Sequence, residues 1–402
     1  MAVLWIDSSE ILLIFIPGVV VCCALLRNWA PTAVPLFLLA ASVLFYLLAA
    51  WQHAWLMAAL LALNIASVAA CDRRPDLAWI VLLCAVPLHV TPIALWKYAG
   101  LGPIPLGLSF VTFLLVSALI DIQAGAPRLG LVSRSLYALF FASVTAGPVT
   151  RYRDLAPQLA TLGRMAVTRL SLLRGASLLV VGLAKIAIVG RPLQDEINGI
   201  LLAVEMGATP TMVEAWYVVI AGLLALYFLF SGYSDMALGI GAMIGLSLAS
   251  NFDSPFKART GVEFVERWHQ SLMAWIRVYI FLPIAKGILS RCNARKASLG
   301  FVAWASASLA SFAFMGAWHG SGWPPLAAGL VAGLLLILFR LHVASTIRLK
   351  TTASDRHRMP LLLFVLIALV ALPILVQDWA VLLPILTGLV DLDSLNLGRI
   401  LT

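Results

Sequence analysis

The sequence predicts an all-α, multi-pass membrane protein of about 10–12 transmembrane helices, because its apolar runs are long, numerous and unbroken by strand-like alternation. Of 402 residues, 62% are hydrophobic and 11% charged, against roughly 45–50% apolar and about 25% charged in soluble domains. One water-soluble core cannot hide that excess. Runs of about 20 apolar residues, enough to cross the hydrocarbon layer, recur from Ile11 to Val390. Unpaired backbone groups are costly in lipid, so such runs must be helices or a closed barrel, and continuous runs favour helices.

In chain order, spans are expected at 11 to 26, 32 to 51, 54 to 70 and 78 to 96, set apart by Arg27, a short turn after Trp51 and the Arg73/Arg74 pair. Further spans are expected at 104 to 122, 175 to 190, 212 to 231, 298 to 318, 325 to 343 and 360 to 376. Stretches at 136 to 149, 236 to 250, 272 to 289 and 379 to 390 are too short or too polar for simple crossings. Interrupted backbone at membrane depth is tolerated only where protein or a water-filled cavity surrounds it, so these pieces predict re-entrant or surface-lying helices around a hollowed interior.

The amino terminus, MAVLWIDSSE, carries Asp7 and Glu10 and no positive region, unlike a cleaved signal peptide. Five cysteines (Cys22, Cys23, Cys71, Cys84, Cys292) show no metal-ligand spacing and an odd total, so buried, inert thiols are expected. With the amino terminus outside, the basic loops around Arg27, Arg73/Arg74, 128 to 174, 257 to 277, 286 to 296 and 348 to 358 can all face the cytoplasm. The net charge of +9 is spread through these loops with no separate basic domain, which argues against nucleic acid as a partner. The same charge suits anionic lipid headgroups and other anionic ligands. No linker, repeat or soluble module interrupts the chain, so residues 1–402 read as one integral membrane domain.

Polar residues kept within apolar sequence are expensive and therefore mark function. Three stretches concentrate them: FSGYSDMALGIGAMIGL with Tyr233 and Asp235; NFDSPFKARTGVEFVERWHQSLMAWIRVYIFLP with His269; and FMGAWHGSGWPP with His319. A neutral imidazole can take an alcohol proton as the oxygen attacks a thioester carbonyl. Around His319, Gly316, Gly320 and Gly322 permit close backbone approach, and Trp318 and Trp323 can wall off water. A histidine between tryptophans also suits an aromatic belt at the membrane interface, and residue types alone leave both readings open. His269, with Trp268, Trp275 and Tyr279 nearby, suits surface-helix or packing duty equally well. His53, His89, His342 and His357 read as packing or solvent residues, and Asp121 and Asp235 as members of buried ion pairs or as histidine-orienting groups. No HExxH, GxSxG or Walker motif appears, so no metal site or nucleotide chemistry is expected.

The same residues resemble the membrane-bound O-acyltransferase (MBOAT) family. The closer resemblance is to its bacterial branch, which contains the alginate O-acetyltransferase membrane subunit and the teichoic-acid D-alanyl transfer protein. The matching text is PLGLSFVTFLLVSALIDIQAG (105 to 125), TAGPVTRYRDL (145 to 155), FSGYSDMALGIG (230 to 241), NFDSPF (251 to 256), ERWHQSLMAWIRVYIFLP (266 to 283) and FMGAWHGSGW (314 to 323). The resemblance implies that His319 is the catalytic histidine and His269 the second functional one. It implies a many-helix fold around a central tunnel in which donor and acceptor meet from opposite faces, with a family-like core over about 105–323. The form FSGYSDMA is closer to the polysaccharide-acetylating members. Departures are Val278 where an acidic residue is common, Glu266 where a basic one is, no second histidine element in GLVAGLLL (329 to 336), and a shortened loop at 285 to 298. These bear on partner and acceptor.

The expected chemistry is acetyl transfer from a cytoplasmic thioester, acetyl-coenzyme A, entering past Arg151, Arg153, Lys257, Arg259 and Arg267. His319 is the base or relay and His269 its partner, while Tyr233, Asp235, Asn251, Arg267, Trp268, Ser271, Trp318, Gly320 and Trp323 shape the tunnel. No bound cofactor is expected. The acceptor is an extracytoplasmic polysaccharide hydroxyl, reached directly or through a periplasmic acyltransferase partner, which places the protein in a bacterial inner membrane. The alternatives are a transporter or flippase of lipid-linked intermediates, in which the histidines relay protons, and a silent subunit of a secretion complex.

Overall fold

The computed structural model describes residues 8–291, 297–349 and 355–395, and no strand occurs among them. In chain order the helices are α1 (Ile16–Trp29), α2 (Val34–Ala50), α3 (Ala54–Arg73), α4 (Ala78–Tyr98), α5 (Leu108–Gln123), α6 (Leu131–Leu139), α7 (Phe141–Val144), α8 (Tyr152–Thr161) and α9 (Arg169–Ala184). They continue as α10 (Arg191–Glu205), α11 (Met212–Met243), α12 (Gly261–Arg267), α13 (Gln270–Ile276), α14 (Leu282–Arg291), α15 (Ala297–His319), α16 (Trp323–Leu349), α17 (Asp355–Leu375) and α18 (Trp379–Gly388).

Among the described residues, eight helical stretches are long and apolar enough to cross a membrane. The stretch Pro31–Arg73 carries two of the expected spans, divided by a tight turn at Trp51–His53. One expected span, 104 to 122, is instead the shorter apolar helix Leu108–Gln123, while 360 to 376 falls on α17. The stretch Gln270–Ser290, expected to be too polar for a crossing, is one of the eight. Gln270 and Ser271 open it, Arg277, Lys286 and Ser290 interrupt it singly, and a π-helical segment at Arg277–Phe281 keeps the helix continuous.

The chain forms two compact units, one of Met1–Ala184 with Ser231–Asn251 and the other of Lys185–Phe230 with Phe252–Thr402. In the first, α5 is buried on nearly every side, from Leu108 to Ile122. Polar groups bond around it: Asn64 Nδ2 donates to the Leu115 carbonyl at 2.9 Å, and the Tyr137 hydroxyl lies 2.6 Å from Ser117 Oγ and donates to the Thr150 carbonyl at 3.0 Å. Asp121 accepts the backbone N–H of Arg153 at 2.9 Å, in the first turn of α8, so this carboxylate caps a helix. The α6–α7 piece breaks at Phe140, which is extended (φ −52°, ψ 117°), and Leu136–Val144 are buried. The freed Phe141 N–H donates to Ser42 Oγ at 3.2 Å, so the interruption is sheltered inside the protein as expected. Gly175 and Gly182 on α9 face Gly239 and Gly232 on α11 so closely that a Cβ at Gly182 would lie 2.4 Å from the Gly232 carbonyl. Small residues at that spacing let the two backbones touch.

The second unit packs α10, α17, α18 and the first part of α11 around Val204, Val218, Leu223, Leu372 and Ile385. Here α15 and α16 meet through Gly316 and Gly329, where an added Cβ would sit 2.3 Å from the Pro325 and Phe312 carbonyls respectively. Cys22 and Cys84 are exposed, contrary to expectation, while Cys23 and Cys71 are buried, and all four are free. The exposed pair lies on spans whose outer faces are themselves apolar, so exposure there needs no polar partner. His89 is buried with Nδ1 2.7 Å from the Ala85 carbonyl. Cys292 and the side chains of His342 and His357 lie outside the described residues.

Candidate active site

The second unit brings His269 and His319 onto one cavity of about 180 Å³. The sequence ERWHQS places His269 at the corner between α12 and α13. Trp268 is extended (φ −101°, ψ 130°) and His269 is left-handed (φ 45°, ψ 48°), one of two non-glycine residues with positive φ in the described chain. A left-handed L-residue costs about 1–2 kcal/mol, so the surroundings must impose it. They do so on both sides: the Trp268 N–H donates to the Phe264 carbonyl at 2.9 Å, and the Met273 N–H donates to the His269 carbonyl at 3.0 Å, opening α13. The imidazole is 4% exposed and meets Phe230 edge-on at 4.5 Å between ring centres.

His319 ends α15. Gly320, Ser321 and Gly322 (φ 84°) turn the chain into α16, whose first turn carries Pro324 and Pro325. The turn leaves no room at Gly320, where a Cβ would sit 2.4 Å from Pro325 and 2.8 Å from Gln377. Gln377 Nε2 donates to the His319 carbonyl at 3.4 Å, tying the end of α15 to the segment between α17 and α18. Trp318 lies 6.5 Å from His269 and 4.4 Å from His319, ring centre to ring centre. The rest of the cavity wall is apolar, with Leu223, Phe264, Met273, Met315 and Ile374 among its residues. Such a wall excludes water and strengthens any hydrogen bond made inside.

The other expected site residues fall into three groups. Trp268 lines the cavity within an aromatic nest, stacked on Phe264 at 5.4 Å and edge-on to Phe252 at 5.1 Å. Arg267 is engaged beneath it, donating to Glu263 Oε1 at 3.1 Å and to the Asp253 carbonyl at 3.0 Å. Glu263 also accepts the Arg259 N–H at 2.8 Å, and Thr260 Oγ1 accepts the Glu263 N–H at 3.1 Å, a reciprocal cap on α12. The Arg259 N–H, opposed by desolvation and aided by the Arg267 guanidinium, holds the Glu263 carboxyl below its ordinary range. Ser271 is buried in the first turn of α13, and Gly320 is the close contact described above. Trp323 is 73% exposed at the start of α16 and does not line the cavity.

Tyr233, Asp235 and Asn251 belong to the first unit. There the Tyr233 hydroxyl meets the Thr145 hydroxyl, Asn251 Nδ2 donates to Ser234 Oγ at 2.8 Å, and Asp235 is half-buried. Of the basic residues expected along the donor's path, Arg151 is paired with Asp154 and Arg153 donates to the Ala124 carbonyl. Phe230 and Gln377 were not singled out by sequence. Phe230 opens the FSGYSD stretch, and Gln377 is a lone amide between two apolar runs, a signal that was available. Among the described residues no three His, Cys, Asp or Glu side chains converge as a metal site requires.

The chain is 31% identical over 308 residues to the probable alginate O-acetylase AlgI of Pseudomonas fluorescens, covering 71% of this chain and 59% of that protein. It is 26% identical over 212 residues to a peptidoglycan O-acetyltransferase of Helicobacter pylori, covering 53% and 38%. It is 26% identical over 263 residues to a teichoic acid D-alanyltransferase of Streptococcus thermophilus, covering 63% and 60%. The chain thus spans about 59% of the length of the first of these relatives. The family model of the membrane-bound O-acyltransferases matches residues 73–374, a stretch that holds both histidines and the α15–α16 turn between them and Gln377, and the chain belongs to that family.

Proposed function

We propose that this chain is an O-acyltransferase that moves an acetyl group from a cytoplasmic thioester to a polysaccharide hydroxyl on the far side of a bacterial inner membrane. The observation that carries the reading is the convergence of two imidazoles, His269 and His319, on one small, apolar-walled cavity inside a multi-pass membrane protein. Family membership supports it, as do relatives named for acetyl transfer to alginate and peptidoglycan.

In this reading His319 accepts the proton of the acceptor hydroxyl as its oxygen attacks the thioester carbonyl. The tetrahedral oxyanion collapses and expels the thiolate, which takes that proton from the imidazolium, leaving an ester and a free thiol. His269 holds the donor carbonyl or shuttles the proton, with Trp318 and Trp268 keeping water from the intermediate. Acetyl-coenzyme A is the donor. The acceptor polymer is reached directly or through a periplasmic acyltransferase partner.

The test is reconstitution in liposomes with acetyl-coenzyme A on one side and oligosaccharide acceptor on the other. Free thiol and acetyl ester should appear together in equal amounts. Movement of a substrate with every thioester intact would replace this reading by transport.

A further inference from the structure

A second and larger cavity, of about 840 Å³, adjoins the first in the same unit. The two share Val265, Met273, Phe312 and Leu336 in their walls, so these side chains form the partition between them. Two arginines open onto the larger one, Arg277 in the stretch Gln270–Ser290 and Arg340 in the stretch Trp323–Leu341. A guanidinium in an apolar span is expensive unless it meets an anion or a cavity. Neither one is paired with a carboxylate among the described residues, and Arg340 instead lies 3.9 Å over the ring of Trp304. By contrast Arg151 and Arg267, two of the basic residues that the sequence placed on the donor's path, already hold Asp154, and Glu263 with Asp253.

Arg340, over Trp304, marks one end of the cavity. Trp304 precedes His319 by fifteen residues on α15, about 22 Å at 1.5 Å per residue. Gly261 abuts Phe339, beside Arg340, and both line the smaller cavity that holds the histidines. Glu266, the one carboxylate in the wall, stands near the other end of α12, toward His269. Between the ends, Gln270, Ser308 and Ser311 supply hydrogen-bonding groups. Gln270 Nε2 and Ser311 Oγ already donate to the Glu266 and Ala307 carbonyls, so what they offer a ligand is acceptor oxygens, which the N–H groups of a chain of amides ending in phosphate would meet and an aliphatic tail would not.

Resting on the acyl-transfer reading above, we infer that Arg277 and Arg340 bind the phosphate end of a pantetheine-type thioester donor, whose amide-bearing arm lies along this cavity and presents its acyl group at the histidines. The arginines thereby select a phosphorylated donor over a bare thioester. The inference assigns the donor's anionic end to residues that neither sequence nor family resemblance singled out.

The experiment measures binding of coenzyme A and of pantetheine, which lacks phosphate, to the purified full-length protein in nanodiscs. Arg277→Gln and Arg340→Gln should each weaken coenzyme A at least about tenfold, and leave the weaker binding of pantetheine unchanged. If the glutamine variants do not fold, Arg340→Lys, which keeps charge without the planar fork, should still weaken coenzyme A severalfold. Unchanged coenzyme A affinity in the arginine variants would overturn the assignment, as would an equal loss for pantetheine, which marks a structural role. Loss of co-purifying phosphatidylglycerol with normal coenzyme A binding would overturn it in favour of a lipid headgroup. Wild-type protein that shows the arginine-dependent coenzyme A binding but releases no thiol from acetyl-coenzyme A would support the assignment and contradict the acyl-transfer reading alone.

Discussion

Phe230 stands edge-on to the imidazole of His269, ring centres 4.5 Å apart and planes at 79°, while the His269 backbone is held left-handed. Conformation and chemistry at this residue can therefore be separated. Glycine adopts positive φ freely but alanine does not. His269→Gly should be more thermostable than His269→Ala by about 1 kcal/mol, and both should lose most transfer activity. Equal melting temperatures for the two variants would show that the backbone at 269 is unstrained.

The α15–α16 contact that presents His319 depends on Gly316, whose added Cβ would lie 2.3 Å from the Pro325 carbonyl, a backbone atom that cannot swing aside. At Gly333 the nearest atoms stand 3.2 Å away and belong to Leu309 and Phe312 side chains. Gly316→Val should therefore cost about 3 kcal/mol or prevent folding, and Gly333→Ala should stay within about 1 kcal/mol of wild type, its crowding offset by better helix propensity. Detergent-solubilised melting curves check both. A well-folded, active Gly316→Val would contradict the close approach.

Glu263 gives a pH prediction. Its carboxyl is held below the ordinary range first by the Arg259 N–H. A depressed folded pKa contributes stability above the unfolded value of about 4.3, and loses it as pH falls through the lower folded value. The Arg259 amide should stay protected from hydrogen exchange, after correction for the intrinsic rate, down to about pH 4.3 and open below it. Glu263→Gln should remove that step. Opening at pH 6 would mean that the carboxylate does not hold this corner.

Much of this was legible because apolar runs report lipid exposure directly. The spans at 11 to 26, 78 to 96 and 212 to 231 needed only length and composition, and α1 with the π-helical turn Ile11–Phe15 before it, α4 and α11 cover them. The break at Phe140 was visible as a run too short to cross, but its relief by Ser42, about a hundred residues earlier in the chain, is a tertiary fact. The stretch from Gln270 was misjudged for a physical reason: Arg277, Lys286 and Ser290 interrupt it singly and leave enough apolar residues between them for a mean hydropathy of 1.6, that of a span. At the site, residue types marked His269 and His319 but could not show that they share a cavity, since fifty residues separate them in sequence. Trp323 shows the converse, since it is adjacent to the motif in sequence and exposed in the fold.

Removing the imidazole of His319 tests the central claim most directly. Wild-type protein and His319→Ala, at matched folded amounts in liposomes, are compared for thiol release from acetyl-coenzyme A in the presence of acceptor. Loss of a general base should slow release by about 10²–10⁴-fold without lowering the melting temperature by more than a few degrees. Release at the wild-type rate would contradict the assignment of His319 as the group that takes the acceptor's proton.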